Sequence, residues 1–249
     1  MAINIPIVST FDDKGLNAAQ KAIGGLGGPA GKLGNILKAS VVPGLIAAAG
    51  SVLVFTKGLL PAIQAASDLQ ENTTKISVIF GDAGKAVTDF AKTAAREIGQ
   101  SQNQVLAAAG TFGTFGKAAG LAGNQLATFT TDFVSLSADL ASFNNSTPDE
   151  AINAIGSALR GEAEPLRKFG VLLNDATLKA AAMELGIYKG SGALTAQQKI
   201  LAAQKVIYEQ TGDAQGDFER TSDGLANQQR ILSAQFENVK IKIGEALLP

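Results

Sequence analysis

The side chains that could do chemistry in this 249-residue chain are carboxylates, lysines, arginines and hydroxyls, because it contains no histidine, cysteine or tryptophan. That composition excludes histidine-dependent acid–base catalysis, cysteine nucleophiles, disulfides and the common zinc and haem ligand sets. Glu162 and Glu164 flank Pro165, and paired carboxylates can hydrolyse glycosidic bonds. Arg160 and Arg167 lie beside them. We therefore favour a solvated, salt-bridged turn that fixes the neighbouring helices over a cell-wall-degrading active centre.

Two glycine-rich runs, 24–28 and 110–116, resemble phosphate-binding loops only in composition. Neither ends in the Lys-Ser or Lys-Thr pair of a nucleotide-binding loop, and neither follows a predicted strand. We therefore expect hinge glycines or the close approach of two helices at these positions.

The overall charge gives no sign of a charged partner. Twenty-one basic and 22 acidic side chains leave a formal net charge of −1, so no global field attracts nucleic acid. The sequence therefore predicts no catalytic residue, no cofactor, no metal ion and no specific nucleic-acid contact. We expect a protein that is not an enzyme.

The elements that carry these residues are mainly helical. The chain has 42 alanines and 28 glycines, and only 17% of its residues are charged, a composition that favours closely packed helices. Residues 3–11 are the exception, because Ile3, Ile5 and Ile7 alternate with polar residues or proline as in a strand. A short helix at 16–23 and a flexible Gly/Pro joint at 24–29 are predicted to follow.

Residues 32–80 have the pattern of a long apolar helix, with expected kinks at Pro43 and Pro61. Eighteen residues between Lys38 and Lys57 carry no charge, which is the lower limit for a membrane-spanning helix. We favour a buried helix over a membrane segment, and both remain open. The apolar residues concerned are Val41, Val42, Leu45, Ile46, Val52, Leu53, Val54 and Phe55.

Capping residues divide the rest of the chain into shorter helices. Asp82 is predicted to cap a helix that ends at Gly99. Ser101, Thr147 and Thr195 each precede a Gln or Glu by three residues, which is the pattern of a capping box at a helix start.

Two apolar stripes indicate packing surfaces. The first is predicted to be the principal helix-packing face and consists of Leu126, Phe129, Phe133, Leu136, Leu140 and Phe143. The second is a coiled-coil-like seam of Leu225, Leu232, Phe236, Val239, Ile243 and Ala246, interrupted at Gln228 and Gln229. Leu232, Phe236, Val239 and Ile243 are candidate contacts between subunits. Because the sequence stops within an apolar run, we expect it to be the beginning of a longer chain.

The predicted fold class is all-α. It comprises a short N-terminal β-strand, a long kinked apolar helix, a compact group of short amphipathic helices and an outgoing coiled-coil-like helix. The corresponding domains are 1–31, 32–80, 81–220 and 221–249.

An ordered series of short motifs in this chain resembles the N-terminal core of tail tape measure proteins from long-tailed bacteriophages. The most distinctive are Asp139-Leu140-Ala141-Ser142-Phe143-Asn144-Asn145 and the run 157–170, which contains Arg160-Gly161-Glu162-Ala163-Glu164-Pro165. Supporting matches occur in order at 3–8, 78–81, 194–199, 210–218, 221–222, 226–230 and 244–249. The resemblance covers residues 65–249 well and the first 60 residues loosely.

The resemblance implies a structural role without catalysis. Such proteins lie in the lumen of the tail tube, set tail length during assembly in the host cytoplasm, and leave the virion ahead of the DNA. The implied partners are the tail tube protein, baseplate or tail-tip proteins, tail assembly chaperones and further copies of the chain, as a trimer or hexamer. An alternative role is a membrane-active pore or ejection conduit that uses residues 39–56 against the host membrane.

Overall fold

A computed structural model describes residues 59–247, and this part of the chain is helical with no strand. The all-α class is thus confirmed for the described range, whereas the strand at 3–11, the joint at 24–29, Pro43 and the apolar segment 39–56 lie outside it. The α-helices of this range are α1 (Leu60–Phe80), α2 (Gly84–Glu97), α3 (Gln102–Ala118), α4 (Gly123–Phe143), α5 (Pro148–Arg160), α6 (Asp175–Glu184), α7 (Ala196–Gln210), α8 (Asp217–Arg220) and α9 (Leu225–Leu247). Short 3₁₀ helices occupy Gly81–Ala83 and Glu164–Phe169.

The described residues fall into two compact units. The larger comprises 68–238, and the predicted domain boundaries after 80 and after 220 both lie within it. The smaller contains 59–67 and 239–247 of the described range. In that smaller unit the start of α1, where Pro61 lies in the first turn, meets the end of α9 so closely that a Cβ on Gly244 would be 1.9 Å from the carbonyl oxygen of Ala62. Only a glycine permits this approach.

Local capping by side chains explains where four helices of the larger unit begin, namely α3, α5, α6 and α7. Ser101 and Thr195 form complete capping boxes at the starts of α3 and α7, as predicted. Thr147 accepts a hydrogen bond from the backbone N–H of Glu150 at the start of α5. The carboxylate of Glu150 instead pairs with Lys168, so this box is only half formed.

One predicted cap is wrong. Asp82 lies within the 3₁₀ turn, and α2 starts after Ala83 without any side-chain cap. The turn closes through backbone hydrogen bonds from Gly84, which leaves the aspartate no capping role.

The predicted stop of this helix is confirmed, because Gly99 has φ +63°, just past the end of α2. A capping box of Asn174 with Thr177 opens α6 and was not predicted.

Helix α4 lies at the centre of the larger unit, where it packs against α2, α3, α5 and α8. Helix α3 can approach its neighbours closely because of its glycines. A Cβ on Gly113 would lie 2.4 Å from the ring of Phe80, and one on Gly116 would lie 2.4 Å from Leu126 Cδ1. Close helix approach is therefore confirmed as the role of the glycine run 110–116, and the run 24–28 lies outside the described residues.

Candidate functional site: a polar junction of α4, α8 and α9

The predicted stripe on α4 forms the aromatic centre of the core over most of its length. Phe133 is fully buried, and its ring centroid lies 5.4 Å from Phe112, 5.0 Å from Phe129 and 5.6 Å from Tyr208. Phe143 departs from the prediction, because its side chain is 53% exposed at the last residue of the helix, beyond the packed part of the stripe. The buried members of the stripe are Leu126, Phe129, Phe133, Leu136 and Leu140.

The predicted charged turn contains two local, exposed ion pairs, one at the end of α5 and one within the following 3₁₀ helix. Arg167 Nη1 lies 2.8 Å from Glu164 Oε2, and Arg160 Nη2 lies 3.9 Å from Glu162 Oε2. Exposed pairs of this kind contribute ~0–1 kcal/mol each. The structure thus places both glutamates at the surface beside arginines.

A buried amide, Asn227, connects α9 to the end of α4. Its side chain is 3% exposed, and Nδ2 donates to Ser142 Oγ and to Thr221 Oγ1, both at 2.9 Å. The two hydroxyl oxygens lie 3.1 Å apart, so the three side chains form one closed network. Since a buried amide is costly unless it is hydrogen-bonded, these contacts keep α9 in one position on the core.

Arg230 caps the C-terminal end of α4 from the same side of α9. Nη2 donates to the carbonyl of Ser146 at 2.8 Å and more weakly to that of Ala141 at 3.4 Å, while Nη1 donates to Asn227 Oδ1. The last carbonyls of a helix lack intrahelical partners and carry partial negative charge. The guanidinium of Arg230 lies near this negative end but binds mainly the carbonyl of Ser146, three residues beyond α4, because the carbonyl of Ala141 already accepts a hydrogen bond from the backbone N–H of Ser146 at 2.9 Å.

Asp139 of α4 holds the start of α8. Its carboxylate accepts hydrogen bonds from the backbone N–H groups of Gly216 at 2.9 Å and Phe218 at 3.1 Å. Burial raises the pKa of Asp139, and these two hydrogen bonds oppose the rise without cancelling it. Phe218 is thereby fixed in the core at 1% exposure.

The loop between α2 and α3 completes the junction. A Cβ on Gly99 would lie 2.7 Å from the ring of Phe218, so the loop backbone lies directly on α8. Gln100 is fully buried and donates to Ser137 Oγ of α4 at 3.2 Å. Asn238 of α9 accepts a hydrogen bond from the backbone N–H of Gln102 at 2.8 Å, which satisfies a free amide in the first turn of α3.

The junction brings together segments that are far apart in sequence. Residues 139–146, 216–218, 221 and 227–230 meet here, and most of these belong to the motifs on which the resemblance rests. The motifs by themselves do not predict that Asn227, Arg230 and Asn238 bind the core. The spacing of these three residues could have indicated these contacts, because it puts them on one side of a helix, opposite its apolar seam.

The apolar seam of α9 lies on the outer side of that helix. Leu225 is 76% exposed, Leu232 is 40% exposed and Phe236 is 39% exposed, while Val239, Ile243 and Ala246 are half-buried. The buried residues of this helix before 239 are instead Asn227 and Ala234. The helix therefore contacts the core through small and polar side chains.

The described range contains no group of three or more acidic side chains that could hold a metal ion. Between residues 59 and 247, no helix combines the length and apolar character needed to cross a membrane. The junction of α4, α8 and α9 can fix the position of residues 225–238 of α9 and leave the apolar seam of this part exposed.

No protein-family model, curated protein or solved structure is significantly similar to the chain.

Proposed function

We propose that this chain is the N-terminal part of a bacteriophage tail tape measure protein. In this role it is a non-enzymatic scaffold that lies in the lumen of the tail tube, sets tail length and leaves at DNA ejection. The observation that carries the proposal is the junction of α4, α8 and α9. Most of its residues belong to the ordered motifs that resemble this family, and they fasten residues 225–238 of α9 to a compact helical core.

A helix is a suitable ruler, because each residue adds a fixed rise of ~1.5 Å. A ruler also needs a fixed starting point. The hydrogen bonds of Asn227 and Arg230 to Ser142 and Ser146 would fix the start of α9 in this way. Low charge, 17% of residues, suits close packing of helices within a narrow tube. The tail tube protein, tail-tip or baseplate proteins and tail assembly chaperones are the partners proposed with this role.

The ruler role is tested by changing helix length in the phage that encodes the chain. One or two heptads copied from 229–242 are inserted after residue 242, and tails are measured by electron microscopy. Each heptad should lengthen the tail by ~10 Å, from the helical rise. As a control, the same heptads are inserted into the exposed loop 189–192, where they should leave tail length unchanged. Tails of constant length in the first series would remove the ruler role.

A second candidate role, membrane insertion at ejection, is favoured by the eighteen uncharged residues between Lys38 and Lys57. The purified chain should then release dye from liposomes, and Leu53→Lys should abolish the release because a charge in the bilayer centre is costly. Release that is unchanged by this substitution, or absent at every pH tested, would remove the candidate.

A further inference from the structure

Helix α6 and the loops on either side of it form an excursion of the chain that packs mainly on one neighbour. The chain leaves the core at the fully buried Val171, runs through α6 and returns at Thr195, the N-cap of α7. Among the elements of the described range, α7 is the one against which α6 packs extensively. Residues 172–194, which we call the flap, are therefore held to the larger unit chiefly by a single helix.

The flap shares a small hydrophobic cluster with the side of α7 beneath it. This cluster contains none of the aromatic side chains around Phe133. Half of its buried members are alanines, whose side chains bury little apolar surface. The hydrophobic contribution that keeps the flap on α7 is therefore small. The buried members are Ala181, Ala182, Tyr188 and Leu194 of the flap and Ala202 and Val206 of α7.

Two amide side chains of α7 bind the backbone of the flap. Gln210 pairs with both backbone groups of Leu172, because its Oε1 accepts from the N–H at 2.7 Å and its Nε2 donates to the carbonyl at 3.4 Å. Gln198 Nε2 donates to the carbonyl of Ile187 at 2.5 Å. Leu172 and Gln210 are both exposed, so water can replace their hydrogen bonds when the flap moves away.

An ion pair adds a third polar contact between the flap and α7. Lys205 Nζ of α7 lies 3.0 Å from Oε2 of Glu184, the last residue of α6. The glutamate side chain is exposed, so salt screens this pair and its contribution to stability is small. The flap is thus closed by contacts that are individually weak.

The remainder of the larger unit keeps its own contacts without the flap. Thr195 and Gln198 form the capping box of α7 with their own side chains and backbone, so this helix begins without any residue of the flap. Val171 is fully buried just before the flap. Tyr208 of α7 lies against Phe133, with 5.6 Å between the ring centroids, outside the cluster of the flap. Opening of the flap therefore leaves the attachment of α7 to the core intact.

We propose that residues 172–194 are a flap that opens from α7 while the rest of the larger unit stays folded. Local opening costs least where few apolar side chains are buried and where water reaches the hydrogen bonds, and the flap has both properties. Opening uncovers an apolar strip on α7 formed by Ala202 and Val206, which are buried when the flap is closed. The inference goes beyond the proposed function and does not depend on it.

Native-state hydrogen exchange of the full chain in increasing urea tests the flap. The amides of α6 should exchange at least ~100-fold faster than those of α4 and depend less on urea, because opening exposes less surface than unfolding. Gln210→Ala should accelerate exchange in α6 at least ~5-fold, through loss of its two hydrogen bonds, and leave α4 unchanged. Gln235→Ala, on the exposed side of α9, is the control and should change neither helix. Equal protection and equal urea dependence of α6 and α4 would overturn the inference. Protection that declines steadily towards one end of α6 would also overturn it, because that is fraying of a helix.

Introduced thiols report whether the strip on α7 is uncovered, since the chain contains no cysteine. Ala202→Cys puts a thiol beneath the flap, and Ala203→Cys, the matched control, puts one at the next position, which is buried outside the cluster of the flap. Iodoacetamide should modify the thiol at 202 at least ~10-fold faster than the thiol at 203 in the folded full chain. Circular dichroism of both variants should match that of the parent chain. Equal rates at the two positions would mean that α7 is uncovered only when the whole unit unfolds, which would overturn the inference.

Discussion

At the scale of single residues, neutral amides make many of the contacts that join separate segments. Gln197 donates to the carbonyl of Ala119 at the end of α3 at 2.7 Å, and Asn72 donates to Asn103 at 2.7 Å. The ion pairs of the described range are largely exposed, and such pairs contribute little. In a chain with so few charged residues, neutral amides therefore provide specificity that does not depend on charge and so is little affected by salt screening.

Phe133 and Phe143 should respond very differently to truncation. Phe133→Ala should lower the free energy of unfolding by ~3–5 kcal/mol, because the ring is fully buried among three aromatic neighbours. Phe143→Ala removes the same group from an exposed position, so its effect should stay within ~0.5 kcal/mol. Urea denaturation of the three proteins measures both values. Equal losses would contradict the packing described for α4.

Asp139 should make stability depend on pH in the acid range. Its pKa is raised above the usual value of 3.8 in the folded state, so the folded protein binds this proton more tightly than the unfolded chain. The stability that it contributes is fully present below the usual value and is lost as pH rises through the raised pKa. The variant Asp139→Asn cannot titrate there. The difference in unfolding free energy, parent minus variant, should therefore fall as the pH rises from below 3.8 through the raised pKa, measured by urea denaturation. A difference that rises with pH would contradict the direction of the shift.

At the scale of elements, the same residue type has opposite effects in neighbouring helices. Glycine normally weakens a helix interior by ~1 kcal/mol relative to alanine. In α3 it is required by the packing, because Phe80 and Leu126 occupy the space that Cβ atoms would take. In α5 the nearest atom to a Cβ on Gly156 would be 3.7 Å away, which is an ordinary contact.

The substitutions Gly113→Ala and Gly156→Ala should therefore change stability in opposite directions. We expect Gly113→Ala to lower the melting temperature and cost ~1–3 kcal/mol, because the buried ring of Phe80 must move. Gly156→Ala should raise stability by ~0.5–1 kcal/mol through helix propensity. Calorimetry of the two variants tests the close approach of α3, and stabilisation by both would show that α3 has room for a side chain.

At the scale of the whole molecule, the direction of the outgoing helix depends on contacts between distant parts of the larger unit. Asn227 contacts Ser142, 85 residues earlier, and Arg230 reaches Ser146. These contacts hold residues 225–238 of α9, whose buried side chains are Asn227 and Ala234, so little apolar burial supports the same position. Release of α9 from the core should therefore be controlled by this hydrogen-bond network.

Asn227→Ala should loosen α9 selectively. The substitution removes the buried amide and leaves its half-buried partners Ser142 and Arg230 without it, at an expected cost of ~1–3 kcal/mol. Amide hydrogen exchange should accelerate in 225–238 more than in α4. Gln235→Ala, on the exposed side of the same helix, is the matched control and should leave exchange rates unchanged. Equally accelerated amide exchange in all helices would mean that the hydrogen bonds of Asn227 stabilise the fold as a whole.

The amino-acid sequence is sufficient to predict the helices and many of their ends. The capping boxes of Ser101 and Thr195 and the stop at Gly99 depend on backbone groups within about four residues, so the local sequence is sufficient to predict them. The resemblance to tape measure proteins likewise comes from short motifs in order.

Which face of each helix is buried depends on tertiary packing. Helical periodicity puts Phe133 and Phe143 on one stripe, but the core covers the first and leaves the second exposed. The seam of α9 is apolar, yet its polar side with Asn227 packs on the core. Burial is decided by which distant segments pack together, and periodicity along one helix carries no information about the surface that its neighbours will cover.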